Sequence, residues 1–538
     1  MATLSPRFRR ALAAALVPAF LLAVTPPALA APGDLDPTFD GDGRAVIDVG
    51  PRSGAVAVLV QPDGKIVTGG TELSGFLSRL LVTRLNPDGS LDTSFAGDGT
   101  ANIEVGVASF AAAVARQQAD GKILIGGTAV TGGSFVFAVV RLNADGTPDA
   151  GFGTAGVVTT SFPGADSGSS FQMNDLILQP DGKIVAGGTA PDVDPLSNHF
   201  ALVRYNSNGS LDTTGFGVGG RVLTDFPTGV PDQLQALALQ PDGKIVAAGS
   251  TEPLATIVAL ARYNTNGTLD ASFGSGGLVT TPPPAGGENA YDVVVQPDGR
   301  IVVAGESGSG DFVLLRYLSN GSLDASFGVA GRVTTDFGTT SDSARALVRQ
   351  PDGKLIAGGT AGTQPGSVFA LARYQANGAL DPTFSGDGRV TTDFANGDPT
   401  ALSFLEDLAL QPDGKLVAAG ARTNEIPGGD PLFGFDFNQA LARYETGLVP
   451  STPGAGGCSN SGNTGLNVFV CGLSAPLSVL NLGRNNQTAV TPPASAPGTP
   501  GIPATGSDNT GIVAQLVRVA LPINLINLGD NSQFAATP

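Results

Sequence analysis

A five-residue phrase returns seven times along the chain, once every 54 to 61 residues. It reads Gln61-Pro62-Asp63-Gly64-Lys65, then Gln118 to Lys122, Gln179 to Lys183, Gln240 to Lys244, Gln296 to Arg300, Gln350 to Lys354 and Gln411 to Lys415. All six lysines of the chain stand at the last position of this phrase, and Arg300 takes that place in the remaining copy. A fixed period of this length demands a repeat architecture, with most of the chain built from copies of one unit.

The fourth copy shows what one unit folds into. Leu234 to Gln240 is an apolar run, Pro241-Asp242-Gly243 supplies the fixed and positive φ values of a tight turn, and Lys244 to Ala248 is a second run. A third run, Thr256 to Tyr263, ends in Arg-Tyr before Asn264-Thr265-Asn266-Gly267, another turn signal. Leu269-Asp270-Ala271-Ser272-Phe273 then leads to a fourth run, Gly277 to Thr281. Four antiparallel strands in a unit of this size make a propeller blade. The first strands, such as Ala236 to Leu239, are apolar at successive positions, as expected of strands covered on both faces.

The ends of the array complement each other. Leu35 to Phe39 and Gly43 to Ile47 are the tail of a unit, while the copy that ends at Ala442-Arg443-Tyr444 has only a beginning. The expected fold is therefore all-β, a seven-bladed β-propeller whose N-terminal strand completes the last blade. The phrases resemble the delta-60 repeat family, a bacterial β-propeller repeat. The resemblance rests on Gln350 to Gly359 and Leu380-Asp381-Pro382-Thr383-Phe384 and covers residues 34 to about 447. It implies a propeller of a secreted or surface protein and brings no catalytic residues.

Residues 1–30 read as a secretory signal peptide, with Arg7, Arg9 and Arg10, an apolar core from Ala11 to Val24 and small residues at Ala28-Leu29-Ala30. No transmembrane segment is expected in the mature chain. The net charge of −18 over the full chain argues against nucleic acid, whose phosphates require clustered Lys and Arg. Cys458 and Cys471 are the only cysteines, and in a secreted protein they are expected to form a disulfide.

Function is expected where the repeat varies. The connections between second and third strands differ among copies, the shortest near Glu306 to Asp311 and the longest from about Arg422 to Asn438. The binding candidates are His199, Phe433, Phe435 and Phe437 on that variable face. The recurring acids Asp48, Glu104, Asp225, Asp336 and Asp393 read as solvated edge charges on the outer rim, too far apart to cooperate. The Arg-Tyr pairs read as packing or inter-blade pairing. No catalytic residue, metal site or cofactor is expected. Asp-Gly pairs such as Asp40-Gly41-Asp42-Gly43 lack the ligand spacing of a calcium loop.

Beyond the propeller (31–447), a Pro/Gly/Ser linker at 448–462 precedes two apolar units in 463–538, duplicated at an offset of 46 and joined by a Pro-rich stretch. Ile502-Pro503-Ala504-Thr505-Gly506 resembles a sortase signal, with Ile in place of the usual Leu. The functional expectation is a secreted, non-enzymatic binding or adhesion scaffold at the bacterial surface. Its partner would be a protein or polysaccharide, and the tail units would associate with the envelope. The alternative is an extracellular polysaccharide hydrolase or lyase acting from the variable face.

Overall fold

The computed structural model describes residues 30–448, with breaks at 51, 75–76, 117–119, 163–170, 192–197, 228–230, 252–255, 285, 363–365, 396–400 and 426–434. Beyond 448 it describes only four three-residue strands. Among the described residues there is no helix, and none is long and apolar enough to cross a membrane. Seven four-stranded antiparallel sheets occupy residues 53–103, 108–160, 172–224, 232–281, 288–335, 342–392 and 403–444, taken here as blades one to seven. Blade seven borrows its outer strand: Arg44–Ile47 pairs antiparallel with Phe435–Tyr444 in the register Arg44↔Ala442 to Ile47↔Gln439. The ring is thus closed by the N-terminal strand, and no open end is left to cap.

Within a blade, each strand is hydrogen-bonded to the next in sequence, from the axis outward. The first strand faces the channel, so its burial alternates, as in Ser53–Val60. The strands buried throughout are the second and third, such as Ile245–Thr251 and Phe312–Tyr317, which lie between neighbouring blades. This corrects the expectation of double coverage for the first strands, whose apolar runs reflect only one packed face. Seven apolar clusters fill the spaces between adjacent blades; one of them joins Phe39, Ala45 and Leu441 of blade seven to Ala55 and Ile66 of blade one.

The phrase makes the turn between first and second strands. The Gln61 N–H donates to the Lys65 carbonyl, and Gly64 takes φ of 85°, a left-handed value that a Cβ disfavours. The lysine that follows is part of a cluster built seven times. In blade one, Arg84 of the third strand and Lys65 both pair with Asp92 at 2.6 and 2.7 Å. The guanidinium lies 4.6 Å above the Phe95 ring, and its Nη1 donates to the Ala144 carbonyl in blade two. Arg443 closes the ring in the same manner, pairing with Asp36 at 2.6 Å, lying over Phe39 and donating to Pro87 of blade one. The phrase lysine, the Arg-Tyr arginine and the Leu-Asp aspartate, far apart in each copy, are therefore one interlock between blades.

The tyrosines tie each blade to the one before it. Tyr205, Tyr263, Tyr317, Tyr374 and Tyr444 are fully buried, and their hydroxyls bond Thr160, Thr224, Thr281, Thr335 and Thr392 at 2.6 to 2.8 Å. In blades one and two, Leu85 and Leu142 take that place. In the tail, Phe469–Cys471 pairs in parallel with Gln515–Val517, equivalent positions of the duplicated units. Cys458, one half of the expected disulfide with Cys471, lies outside the described residues.

Candidate functional site

One feature of the repeat aims side chains at the axis. Every first strand carries a bulge, one residue unpaired between two partners of the second strand. The unpaired residues are Val56, Ala112, Asn174, Gln235, Tyr291, Arg345 and Glu406, and all seven line a central cavity of about 300 Å³. One backbone position thus presents seven different side chains to a single channel. The side chains from blades one and two, Val56 and Ala112, are small and apolar, and those from the other five blades are larger and polar. Arg345 lies 4.0 Å over the Tyr291 ring, whose hydroxyl bonds Glu306 at 3.3 Å.

Three aspartates follow bulge residues in alternate blades. Asp175 accepts the N–H groups of Leu176 and, across the blade junction, Leu237. Asp292 does the same with Val293 and Leu347, and Asp407 with Leu408 and Val58 of blade one. Each is half-buried by surface yet surrounded by protein at the heart of the ring. Burial raises Asp175 to about 6 and Asp407 to about 7 against the pull of those N–H donors. Asp292 rises well above the usual carboxylate range, pushed by burial and by Asp407. A carboxyl held protonated near neutrality is what a general acid requires. Here, however, both oxygens serve backbone donors, which makes these groups staples between blades three and four, five and six, and seven and one.

The raised acids couple stability to pH. The folded ring holds these protons more tightly than the unfolded chain, so stability is full near pH 4 and falls as pH rises through about 7. A tenfold change in proton affinity is worth about 1.4 kcal/mol. Discounted for channel solvent, the loss between about pH 4.5 and 7.5 is expected to be roughly 2 kcal/mol. Asp292→Asn with Asp407→Asn should flatten that slope, read as urea midpoints at the two pH values. An unchanged slope would show that these groups are not its source.

The sequence-derived candidates are dispersed around the ring. His199 is buried at the start of the third strand of blade three, with Nδ1 3.4 Å from Asp225 of that blade and close to Asp232 of blade four. Burial raises Asp232 to about 6, with the Phe226 N–H pulling the other way. Phe433 lies outside the described residues. Phe435 and Phe437 sit on a strand, because the hairpin of blade seven stays paired out to Glu425↔Phe435. Arg422 to Glu425 and Phe435 to Asn438, read from the sequence as part of the loop, are therefore paired strand. The tightest second-to-third connections are in blades one and two, where Ser74 pairs with Leu77 and Thr131 with Ser134, and not at Glu306 to Asp311.

The rim acids are exposed, as expected, but three of them are not isolated: Asp225 meets Asp232, Asp336 meets Asp311 and Asp342, and Glu104 pairs with Arg79 at 2.7 Å. Sequence reasoning missed the channel ring and Asp232. The signal it offered was Asp at 175, 292 and 407, each standing directly before the apolar end of a first strand.

The two faces differ in kind. The face of the phrase turns carries the seven interlocks. On the other face, hydrogen bonds between Ser78 and Ser109 bring Leu77 beside the segment of Val107 and Phe110. These three are 50, 65 and 44% exposed, an apolar patch across the junction of blades one and two. The phrase face exposes Val218 and Val329 singly.

No curated protein matches the chain. Among solved structures it is similar to Sqt1 from Chaetomium thermophilum (14% identity, TM-score 0.39), covering 75% of this chain and 98% of that one. It is also similar to a protein of unknown function from Dyadobacter fermentans (12% identity, 74% and 98% covered, TM-score 0.38). A third is a single-site mutant of NanB sialidase from Streptococcus pneumoniae (10% identity, 73% and 68% covered, TM-score 0.37). Residues 61–95, 118–152, 179–214, 240–273, 296–327 and 350–384 match a family described as a domain of unknown function (DUF5122) β-propeller. Each match runs from the phrase to the aspartate of the interlock, and five of the six reach its phenylalanine, that of 179–214 stopping just short of Phe216; the remaining copy is split between the two ends of the ring. Six of the seven repeats of this chain thus match the DUF5122 β-propeller repeat.

Proposed function

We propose that the chain is a secreted, non-enzymatic propeller of the delta-60 type that serves as a binding and adhesion scaffold at the bacterial surface, with its variable-loop face toward the partner. The observation that carries this reading is the asymmetry of the two faces. Seven copies of one interlock fix the phrase face, while the opposite face carries unequal loops and the Leu77, Val107 and Phe110 patch. A rigid ring that varies on one side is a platform for recognition. The tail extends the reading: its units pair through equivalent strands, and they would associate with the envelope.

The test is adsorption of the labelled full chain to isolated envelopes of the producing bacterium. Burial of a large apolar side chain is worth about 1.5–3 kcal/mol. Joint Leu77→Ser, Val107→Ser and Phe110→Ser substitution should therefore lower retention at least about tenfold. Val329→Ser, on the opposite face, should leave it unchanged. Equal retention of the triple variant would contradict the face assignment, and no adsorption of the unaltered chain would contradict the scaffold itself.

A further inference from the structure

The starts of the first strands hold buried acids in three consecutive blades, Asp232, Glu288 and Asp342. A buried carboxylate needs compensation for lost water. Glu288 obtains it from the Arg332 guanidinium at 2.8 Å. Asp342 obtains it from donors on both oxygens: the Thr339 hydroxyl and the Gly362 N–H on Oδ1, and the Phe337 N–H on Oδ2. Asp232 is compensated on one side only. Its Oδ2 accepts the Phe226 N–H at 2.9 Å. Its Oδ1 is fully buried and meets no hydrogen-bond donor among the described residues, although the Thr251 hydroxyl stands near the carboxylate.

What faces Asp232 is a set of metal ligands. One ring nitrogen of His199, one carboxylate oxygen of Asp225 and one of Asp232 all lie within 4.8 Å of one another. The three come from two blades. His199 lies on the third strand of blade three and Asp225 directly follows its fourth strand, Arg221–Thr224, each one residue beyond the Phe200↔Thr224 pair, and Asp232 opens blade four. From this geometry we infer that His199, Asp225 and Asp232 bind one divalent transition-metal ion of the zinc class at the junction of blades three and four, on the variable-loop face. The donor set decides the class. Calcium takes six to eight oxygens, whereas one imidazole with two carboxylates suits zinc and its neighbours. The two carboxylates also balance the charge of a divalent ion. Asp225 is 64% exposed by side chain, so the site opens to solvent on one side. That leaves room for water or for a donor from a bound partner.

The same three repeat positions at the junction of blades five and six hold Asp311, Asp336 and Asp342, again within 4.8 Å. There the buried member is already saturated, and no imidazole is present. That junction is the internal control.

The experiment is a titration of the full chain, untagged and stripped with chelator, with Co²⁺ as a spectroscopic stand-in for Zn²⁺. The expected result is one Co²⁺ per chain with visible d–d absorption, displaced by Zn²⁺. His199→Ala and Asp232→Asn should each weaken binding at least about tenfold. Asp342→Asn should leave binding as it was. Asp225→Asn, at an exposed side chain, tests the same site should either buried variant fail to fold. Zn²⁺ should also raise the melting temperature of the unaltered chain and not that of Asp225→Asn. Absence of Co²⁺ absorption in the unaltered chain, or unaltered binding by the site variants, would overturn the assignment.

Discussion

Gly359→Ala is expected to cost at least about 3 kcal/mol of stability and to leave the ring largely unfolded at moderate temperature. A Cβ built on Gly359 would lie 1.8 Å from the Ser343 carbonyl oxygen and 2.9 Å from its carbon. Both belong to backbone held by strand pairing, so neither can step aside. The contact goes with the bulge: the carbonyl two residues before the unpaired residue points toward the second strand, opposite the glycine. The same contact recurs at Gly70, Gly127, Gly188, Gly249, Gly305 and Gly420, at 1.7 to 2.1 Å. The second strand is thus tied to glycine by the device that aims a side chain into the channel. Gly386→Ala is the control. It has φ of 87° and nothing within 4 Å of an added Cβ, so it should cost only about 1–2 kcal/mol of backbone strain. Urea midpoints of the two variants give the comparison, and similar losses would contradict the steric account.

Asp36→Ala is expected to be the most damaging single change among the interlocks, at about 3–5 kcal/mol. Asp36 is 2% exposed and receives Arg443 and Lys415, each at 2.6 Å, so its removal strands a buried guanidinium beside an ammonium. It also loosens the segment that brings the closing strand to blade seven. Burial alone would raise the Asp36 pKa, but Lys415, Thr38 and Arg443 pull it down to about 2. Its stabilisation is therefore present above about pH 4 and is lost as pH falls toward 2. Asp149 and Asp381, both lowered to about 2, behave alike. Acid unfolding of the unaltered ring should be steep in that window, and the loss in Asp36→Ala relative to the unaltered chain should shrink there. A variant as stable as the unaltered chain at neutral pH would show that the interlock does not hold the closure.

The ring was legible because its signals are local and repeated seven times. Turn residues such as Pro241-Asp242-Gly243 sit within a few residues of the strands they join, and the split copy at Leu35 to Ile47 and Gln411 to Tyr444 betrays closure by arithmetic alone. The periodicity of the Arg-Tyr pairs also pointed to inter-blade work, and the structure places Arg443 and Tyr444 on opposite neighbours. The channel was not legible. A bulge is a relation between two strands, so nothing in Ala344-Arg345-Ala346 marks Arg345 as the unpaired residue. The junction of His199, Asp225 and Asp232 was hidden for the same reason: Asp232 belongs to the next copy. Loop length was overestimated in blade seven because polar residues around Asn424 and Asp436 read as loop, whereas they pair as an extended hairpin.

The measurement that tests the central claim most directly is a cross-link across the closing strand. Val46 stands opposite Ala440 in the antiparallel pair, a separation that a disulfide spans. In a chain whose two natural cysteines are serine, Val46→Cys with Ala440→Cys should oxidise within one chain, and peptide mass mapping should find the two segments joined in a monomer. Free thiols under the same oxidation, or a cross-link found only between two chains, would contradict a ring closed by its own N-terminal strand.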